Sequence, residues 1–299
     1  MTVINIGKNK NTIGLVADKM GSNLYKGRER LTASKLYLDT LDDAIFGITG
    51  SILPIEKSIE NLEHYTKGDD LTSQLDLLSK SMKETRKSSI ENILDSQYGV
   101  SFHDVVSGNK EKIDESILNK LQQEIMNTEG SFKHYNHNLI LAGGFKGKNP
   151  KIYIVDHMEV GPIKFNYASV GSGENVSLNH LDEFYASIND PDNLSTREMM
   201  ENLVKAKIKS SNQSVGVGGN SDIAIYKKGE KPRKIAGNES KLFEEIVELK
   251  SQSLVKPRIA NKSLDQLIAG EKFESLYPEI FDIELKDDKK NLYLKGYKV

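Results

Sequence analysis

Residues 2–22 read TVINIGKNKNTIGLVADKMGS. Two runs rich in β-branched and aliphatic residues, TVINIG and TIGLVAD, flank the polar tetrapeptide KNKN, which predicts a strand, a turn and a second strand closing on Asp18. A second pair follows, KLYLDT from Lys35 and AIFGITG up to Gly50, separated by LDD. The chain therefore opens with an antiparallel β unit.

Beyond Ser51 the period changes. Ile52, Ile55, Ile59 and Leu62, then Leu75, Leu77, Leu78 and Met82, recur at helical spacing and predict two amphipathic helices. Residues 97–130 are more polar and hold one further helical stretch, ESILNKLQQEIM, so they read as a helical insertion. Strands return at NLILAGG, KIYIVD and IKFNYASVG. Helices follow at ENVSLNHLDEFYASI and STREMMENLVKAKIKSS, where Ser195 with Glu198 three residues on forms a capping box. GVGGN reads as a turn and DIAIYKKG as a strand. Strands and helices come in groups rather than in βαβ alternation, so the fold class expected is α+β, with sheets sandwiched between helix layers. The domain expected is 2–228. Residues 229–299 read as a C-terminal extension: a linker and helix in KPRKIAGNESKLFEEIVELKSQ, then a terminal hairpin in FDIELKDDKKNLYLKGYKV.

The balance of 41 basic and 43 acidic residues leaves a net charge of −2, which argues against nucleic-acid binding. With no cysteine there is no disulfide framework, thiolate metal site or thiol nucleophile. No apolar run approaches the roughly 18 residues of a membrane span, and the N-terminus lacks an apolar signal core. The protein is expected to be cytoplasmic, with no cofactor and no membrane partner. GVGG lacks the Lys-Ser/Thr of a phosphate loop. His134 and His137 have no carboxylate or thiol set around them, so no metal is expected.

One constellation carries chemistry. Removal of Met1 would make Thr2 the N-terminus. A threonine hydroxyl needs a base, and a free α-amine, with a reference pKa of about 7.7–8.0, carries one on the same residue. A nearby Lys35 ammonium would lower the amine's pKa by like-charge repulsion, and Asp18 would hold Lys35 charged. A backbone N–H at Gly50, at a strand-to-helix junction, suits an oxyanion.

These residues and their spacing resemble the opening of proteasome β subunits and simpler proteasome-like N-terminal-nucleophile hydrolases. The resemblance covers about residues 2–60 and 137–228. It implies a four-layer αββα sandwich. SKLY implies catalytic Lys35, GITGS implies Gly50, and the Gly-Ser-Gly turn in NYASVGSGEN implies a supporting Ser172. It also implies a substrate pocket from Gly21, Ser22, Ala33, Ile48 and Ile52, small or apolar and so suited to an uncharged side chain. The family's second supporting pair falls in SSNQSVGVGG, on Ser211 and Ser214 or on Asn212 and Val215, and neither choice supplies the family's aspartate. Three activities remain open: a threonine peptidase acting through an acyl-enzyme on Thr2, a connectase-like peptide ligase on the same site, or a non-catalytic subunit. The expected partner is a peptide or protein substrate, and a homo-oligomer is compatible with the resemblance. The 229–299 extension is expected to select substrate.

Overall fold

Strands β1 (Val3–Lys8) and β2 (Thr12–Asp18) pair antiparallel, with Ile4 opposite Ala17 and Gly7 opposite Gly14. Asn9 makes the turn between them. Its side-chain oxygen accepts the N–H groups of Asn11 and Thr12 at 2.9 and 2.8 Å, a local bond that reverses the chain without glycine. The structure, a computed structural model, describes residues 2–22, 30–32, 35–41, 44–50, 52–62, 70–126, 139–147, 149–214, 217–281 and 293–294.

Four strands follow: β3 (Met20–Ser22), β4 (Arg30–Thr32), β5 (Leu36–Leu41) and β6 (Ala44–Thr49). Helices α1 (Ile52–Leu62), α2 (Leu71–Tyr98), α3 (Phe102–Val106) and α4 (Glu115–Met126) come next. Strands β7 (Leu139–Lys146), β8 (Asn149–Val155), β9 (Val160–Ile163) and β10 (Tyr167–Gly171) lead to helices α5 (Glu174–Ala186) and α6 (Thr196–Gln213). Strands β11 (Ser221–Lys227) and β12 (Arg233–Ile235) precede α7 (Gly237–Ser251), α8 (Pro257–Ala269) and α9 (Phe273–Phe281). The architecture is mixed α and β with antiparallel sheets. Two compact units are present: Met1–Gly47 with Leu141–Ile152 and Ile163–Val299, and Ile48–Ile140 with Tyr153–Pro162.

In the first unit one sheet has the order β10-β1-β2-β11-β12. Its central strands are buried along both faces, which explains why they read as nearly continuous apolar runs rather than as alternation. One face receives α5 and α6, through Leu181, Met199, Met200 and Leu203 against Val16 and Ile223. The other face meets glycines of the second sheet, whose order is β5-β6-β7-β8-β9. A Cβ on Gly143 would stand 2.6 Å from Ile13 Cγ2 and 2.8 Å from Ile6 Cδ1, and one on Gly47 would stand 2.8 Å from Ile4 Cγ2. Gly143→Val should therefore overpack the sheet interface and cost about 1–3 kcal/mol. Urea unfolding would read this, and Gly143→Val with Ile13→Ala should recover part of the loss.

Two elements differ from the sequence expectation. IKFNYASVG is not one strand. Ile163 ends β9 in the second sheet and Tyr167 starts β10 in the first. Lys164, Phe165 and Asn166 turn the chain between them, and Asn166 donates to Asp192 at 2.8 Å while its carbonyl accepts the Lys8 N–H. The expected linker supplies β12, which pairs with β11 from Ile223–Ile235 to Ile225–Arg233. Helices α7, α8 and α9 then add Phe243, Val247, Leu264, Leu267 and Leu276 to the same apolar cluster that covers α6. Of the expected terminal hairpin, Phe281 closes α9 and Tyr293 and Leu294 pack on this cluster; the remainder lies outside the described residues.

In the second unit, α2 begins at Asp70, which caps the Ser73 N–H, and ends at Gly99, whose φ of 66° lies in the left-handed region glycine favours. Residues from the expected insertion fold back on it. Val105, Leu118, Leu121 and Ile125 pack on Ile90 and Leu94, and Arg86 donates to the Ile125 carbonyl at 2.9 Å.

Candidate active site

Asp18 ends β2, fully buried. One of its oxygens, Oδ1, accepts three hydrogen bonds: from Thr2 Oγ1 at 2.6 Å, from the Val3 N–H at 2.8 Å and from Lys35 Nζ at 2.7 Å. Oδ2 faces the Gly218 N–H at a longer 3.4 Å. Strand geometry explains the convergence. Thr2 precedes β1 and Asp18 ends the strand paired to it, while Lys35 stands at the start of β5. Thr2 and Lys35 are themselves buried, at 7% and 4% exposure, so these charges interact with little screening by water.

Burial pushes the Lys35 ammonium below the ordinary lysine range. The Asp18 carboxylate opposes that fall by charge and by hydrogen bond, and Asp222 opposes it more weakly, while Lys207 adds to it as a like charge. The result is a lysine whose proton is held less tightly than that of a solvated one.

Thr2 is gripped from its other side by residues 171–173. The register of β1 with β10 puts Gly171 opposite Val3. Thr2 N lies 3.0 Å from Ser172 Oγ, which donates in turn to the Thr2 carbonyl at 3.2 Å, and the Gly173 N–H reaches the same carbonyl at 3.2 Å. Gly171 has φ of 107°, and a Cβ there would stand 2.4 Å from the Thr2 carbonyl oxygen. Only glycine serves at that position.

Behind this loop stands a serine pair absent from the sequence reading. Ser210 Oγ donates to the Gly173 carbonyl at 2.9 Å and shares a 2.8 Å hydrogen bond with Ser177 Oγ. Of the positions weighed for support, Ser211 instead bonds the Lys207 carbonyl of its own helix, Ser214 caps α6, Asn212 is exposed and Val215 lies outside the described residues. Adjacent serines on a helix point about 100° apart. No pattern in SSNQSV says which of them faces inward.

The remaining expected residues fall in several places. Gly21 and Ser22 lie in β3, paired with Leu31 and Arg30. Ile48 is buried in β6, Gly50 has φ of 101° between β6 and α1, and Ile52 begins α1; these three belong to the second unit. Ala33, His134 and His137 lie outside the described residues. Among the described residues no cluster of three His, Cys, Asp or Glu side chains could hold a metal, and no helix is long and apolar enough to cross a membrane.

No known protein family and no curated protein matches the sequence. The fold, however, is similar to a solved structure of an Anbu mutant from Hyphomicrobium sp. strain MC1, with a TM-score of 0.57 and 12% identity over 89% of this chain and 100% of that one. The chain thus shares its fold with Anbu.

Proposed function

We propose that this chain is an N-terminal-threonine amidohydrolase on a four-layer αββα fold, cleaving peptide bonds through an acyl-enzyme on Thr2. The observation that carries this reading is the buried carboxylate of Asp18 shared between the Thr2 hydroxyl and Lys35 Nζ at 2.6 and 2.7 Å.

After removal of Met1, the Thr2 α-amine accepts the proton of Oγ1 as that oxygen bonds to the substrate carbonyl carbon. The oxyanion that forms accepts a backbone N–H. Collapse breaks the C–N bond, and the ammonium returns its proton to the leaving amine. Water then attacks the Thr2 ester with the same amine as base, giving a carboxylic acid and free Thr2. Lys35 keeps the amine in its unprotonated form by like-charge repulsion, and Ser172, 3.0 Å from the nitrogen, orients it. In this reading the side chain before the scissile bond is uncharged, because a charged one would be desolvated without a partner.

The test uses Met1-processed protein, verified by intact mass, and a peptide epoxyketone or β-lactone. One adduct on Thr2 is expected in the wild type and none in a folded Thr2→Ala variant. Equal labelling of both proteins sinks the proposal. With a cleaved peptide, product analysis in the presence of an added peptide amine separates hydrolysis, which gives free acid, from ligation, which gives a joined product.

A further inference from the structure

Helix α7 belongs to the segment 229–299, yet one of its side chains is built into the framework of the Thr2 site. Glu244 accepts three hydrogen bonds: from Lys207 Nζ, from the Ser221 N–H and from Ser221 Oγ, each at 2.8 Å. Ser221 is the residue directly opposite Asp18 in the pairing of β11 with β2. Lys207, on α6, is 1% exposed at its side chain and also donates to the Gly219 carbonyl. The turn 217–220 is therefore held at its carbonyl by Lys207 and at its exit by Glu244, and this turn presents the Gly218 N–H to Asp18. The next residue, Asp222, is buried and paired with Lys19 and Lys234 at 3.2 Å.

A buried lysine needs a counter-charge, and one on its own helix would serve. Instead the counter-charge comes from a helix 37 residues away in sequence, and it grips the strand residue facing the site's carboxylate. Continuing from the functional reading above, on which it rests, we propose that Lys207 and Glu244 are positioning residues for the Thr2 site: the ion pair fixes the Gly218–Ser221 turn against Asp18 and sets a cation behind Lys35. Neither residue touches substrate. Their effect passes through Asp18 and Lys35. The charged groups that act on Lys35 from the surrounding elements are Asp18 on β2, Asp222 on β11 and Lys207 on α6, and Lys207 lowers the affinity of Lys35 for its proton.

The test separates positioning from mere packing. In Lys207→Met with Glu244→Leu, two apolar side chains of similar volume replace the pair, an exchange that buried ion pairs often tolerate without loss of stability. Lys207→Met and Glu244→Gln serve as the single variants. Three quantities are read in the full-length protein: the thermal midpoint, the pH midpoint of Lys35 by NMR of 13C-labelled lysine assigned through Lys35→Arg, and the rate of Thr2 acylation by a β-lactone. The expected result is a folded double variant in which acylation falls on the order of a hundredfold, the penalty of roughly 1 Å of misplacement, and a Lys207→Met protein in which the Lys35 midpoint moves up, because a like charge has gone. A folded double variant with the wild-type acylation rate overturns the proposal, as does a folded Lys207→Met protein with the wild-type Lys35 midpoint. So does a double variant that fails to fold while Glu244→Gln folds with an unchanged midpoint. If the wild type is not acylated at Thr2, the functional reading falls, and the Lys35 titration still decides the role of the pair.

Discussion

Asp18→Asn is expected to lower the rate of Thr2 acylation by roughly a hundred- to ten-thousand-fold, the range of a positioned acid–base group. The amide is nearly the same shape, so the loss is electrostatic. In one orientation the amide oxygen keeps all three Oδ1 bonds and its NH2 faces the Gly218 N–H; in the other its NH2 faces Thr2 Oγ1, the Val3 N–H and Lys35, in each case donor against donor. Lys35 would lose the partner that chiefly opposes the effect of burial, so its proton would be held still less tightly. Breaking a buried pair by neutralising one member costs about 3–5 kcal/mol, less whatever Lys35 recovers by becoming neutral. Acylation kinetics with a β-lactone, alongside urea unfolding of the same preparation, checks both parts. A folded Asp18→Asn protein reacting within threefold of wild type would show that Asp18 only completes the sheet edge.

Lys35→Ala should be as damaging to acylation, and Lys35→Arg should not rescue it. Arginine keeps the charge, but its planar fork cannot take the point position 2.7 Å from Asp18 Oδ1. The pH profile gives the sharper reading. On the acid side activity rises as the Thr2 amine loses its proton. On the alkaline side it falls as Lys35 loses its own. Burial lowers the pKa of Lys35, so the cation is lost earlier than in a solvated lysine and the alkaline limb should lie below pH 10.5. In Lys35→Ala the alkaline limb should vanish. The acid limb should move up toward the free α-amine value of about 7.7–8.0, because the like charge that lowered it has gone. A wild-type alkaline limb at or above the ordinary lysine value would remove Lys35 from the role assigned to it.

The parts of the fold legible in the sequence are those whose signal is local. The β1–β2 hairpin was visible because both strands are apolar and the turn between them carries its own Asn9 chemistry. Helix α6 announced its start through Ser195 and Glu198, and both arms of that capping box are present. The meeting of Thr2, Asp18, Lys35 and Ser172 followed from spacing along paired strands together with the family resemblance. The parts that were hidden depend on distant partners. β12 is a three-residue edge strand inside a Lys- and Arg-rich stretch, too short to show a period. Lys207 and Glu244 read as ordinary solvated charges on two helices until the packing of α7 brought them together. The inward turn of Ser210 rather than Ser211 rests on the rotation of one helix, which serine spacing does not encode. The break at 164–166 was masked because the residues on both sides have strand character, though they ladder into different sheets.

The hydrogen bond between Thr2 N and Ser172 spans 170 residues, and that between Asp18 and Gly218 spans 200. This separation has a meaning in time. A ribosome adding about 5–20 residues per second makes Thr2 roughly 10–40 s before Gly218. For most of that interval Thr2 lacks the 171–173 loop, and through all of it Asp18 lacks the Gly218 N–H, so on the proposed function the threonine is not yet a working nucleophile. Reactivity arrives late in synthesis, at the moment the chain closes on its own beginning.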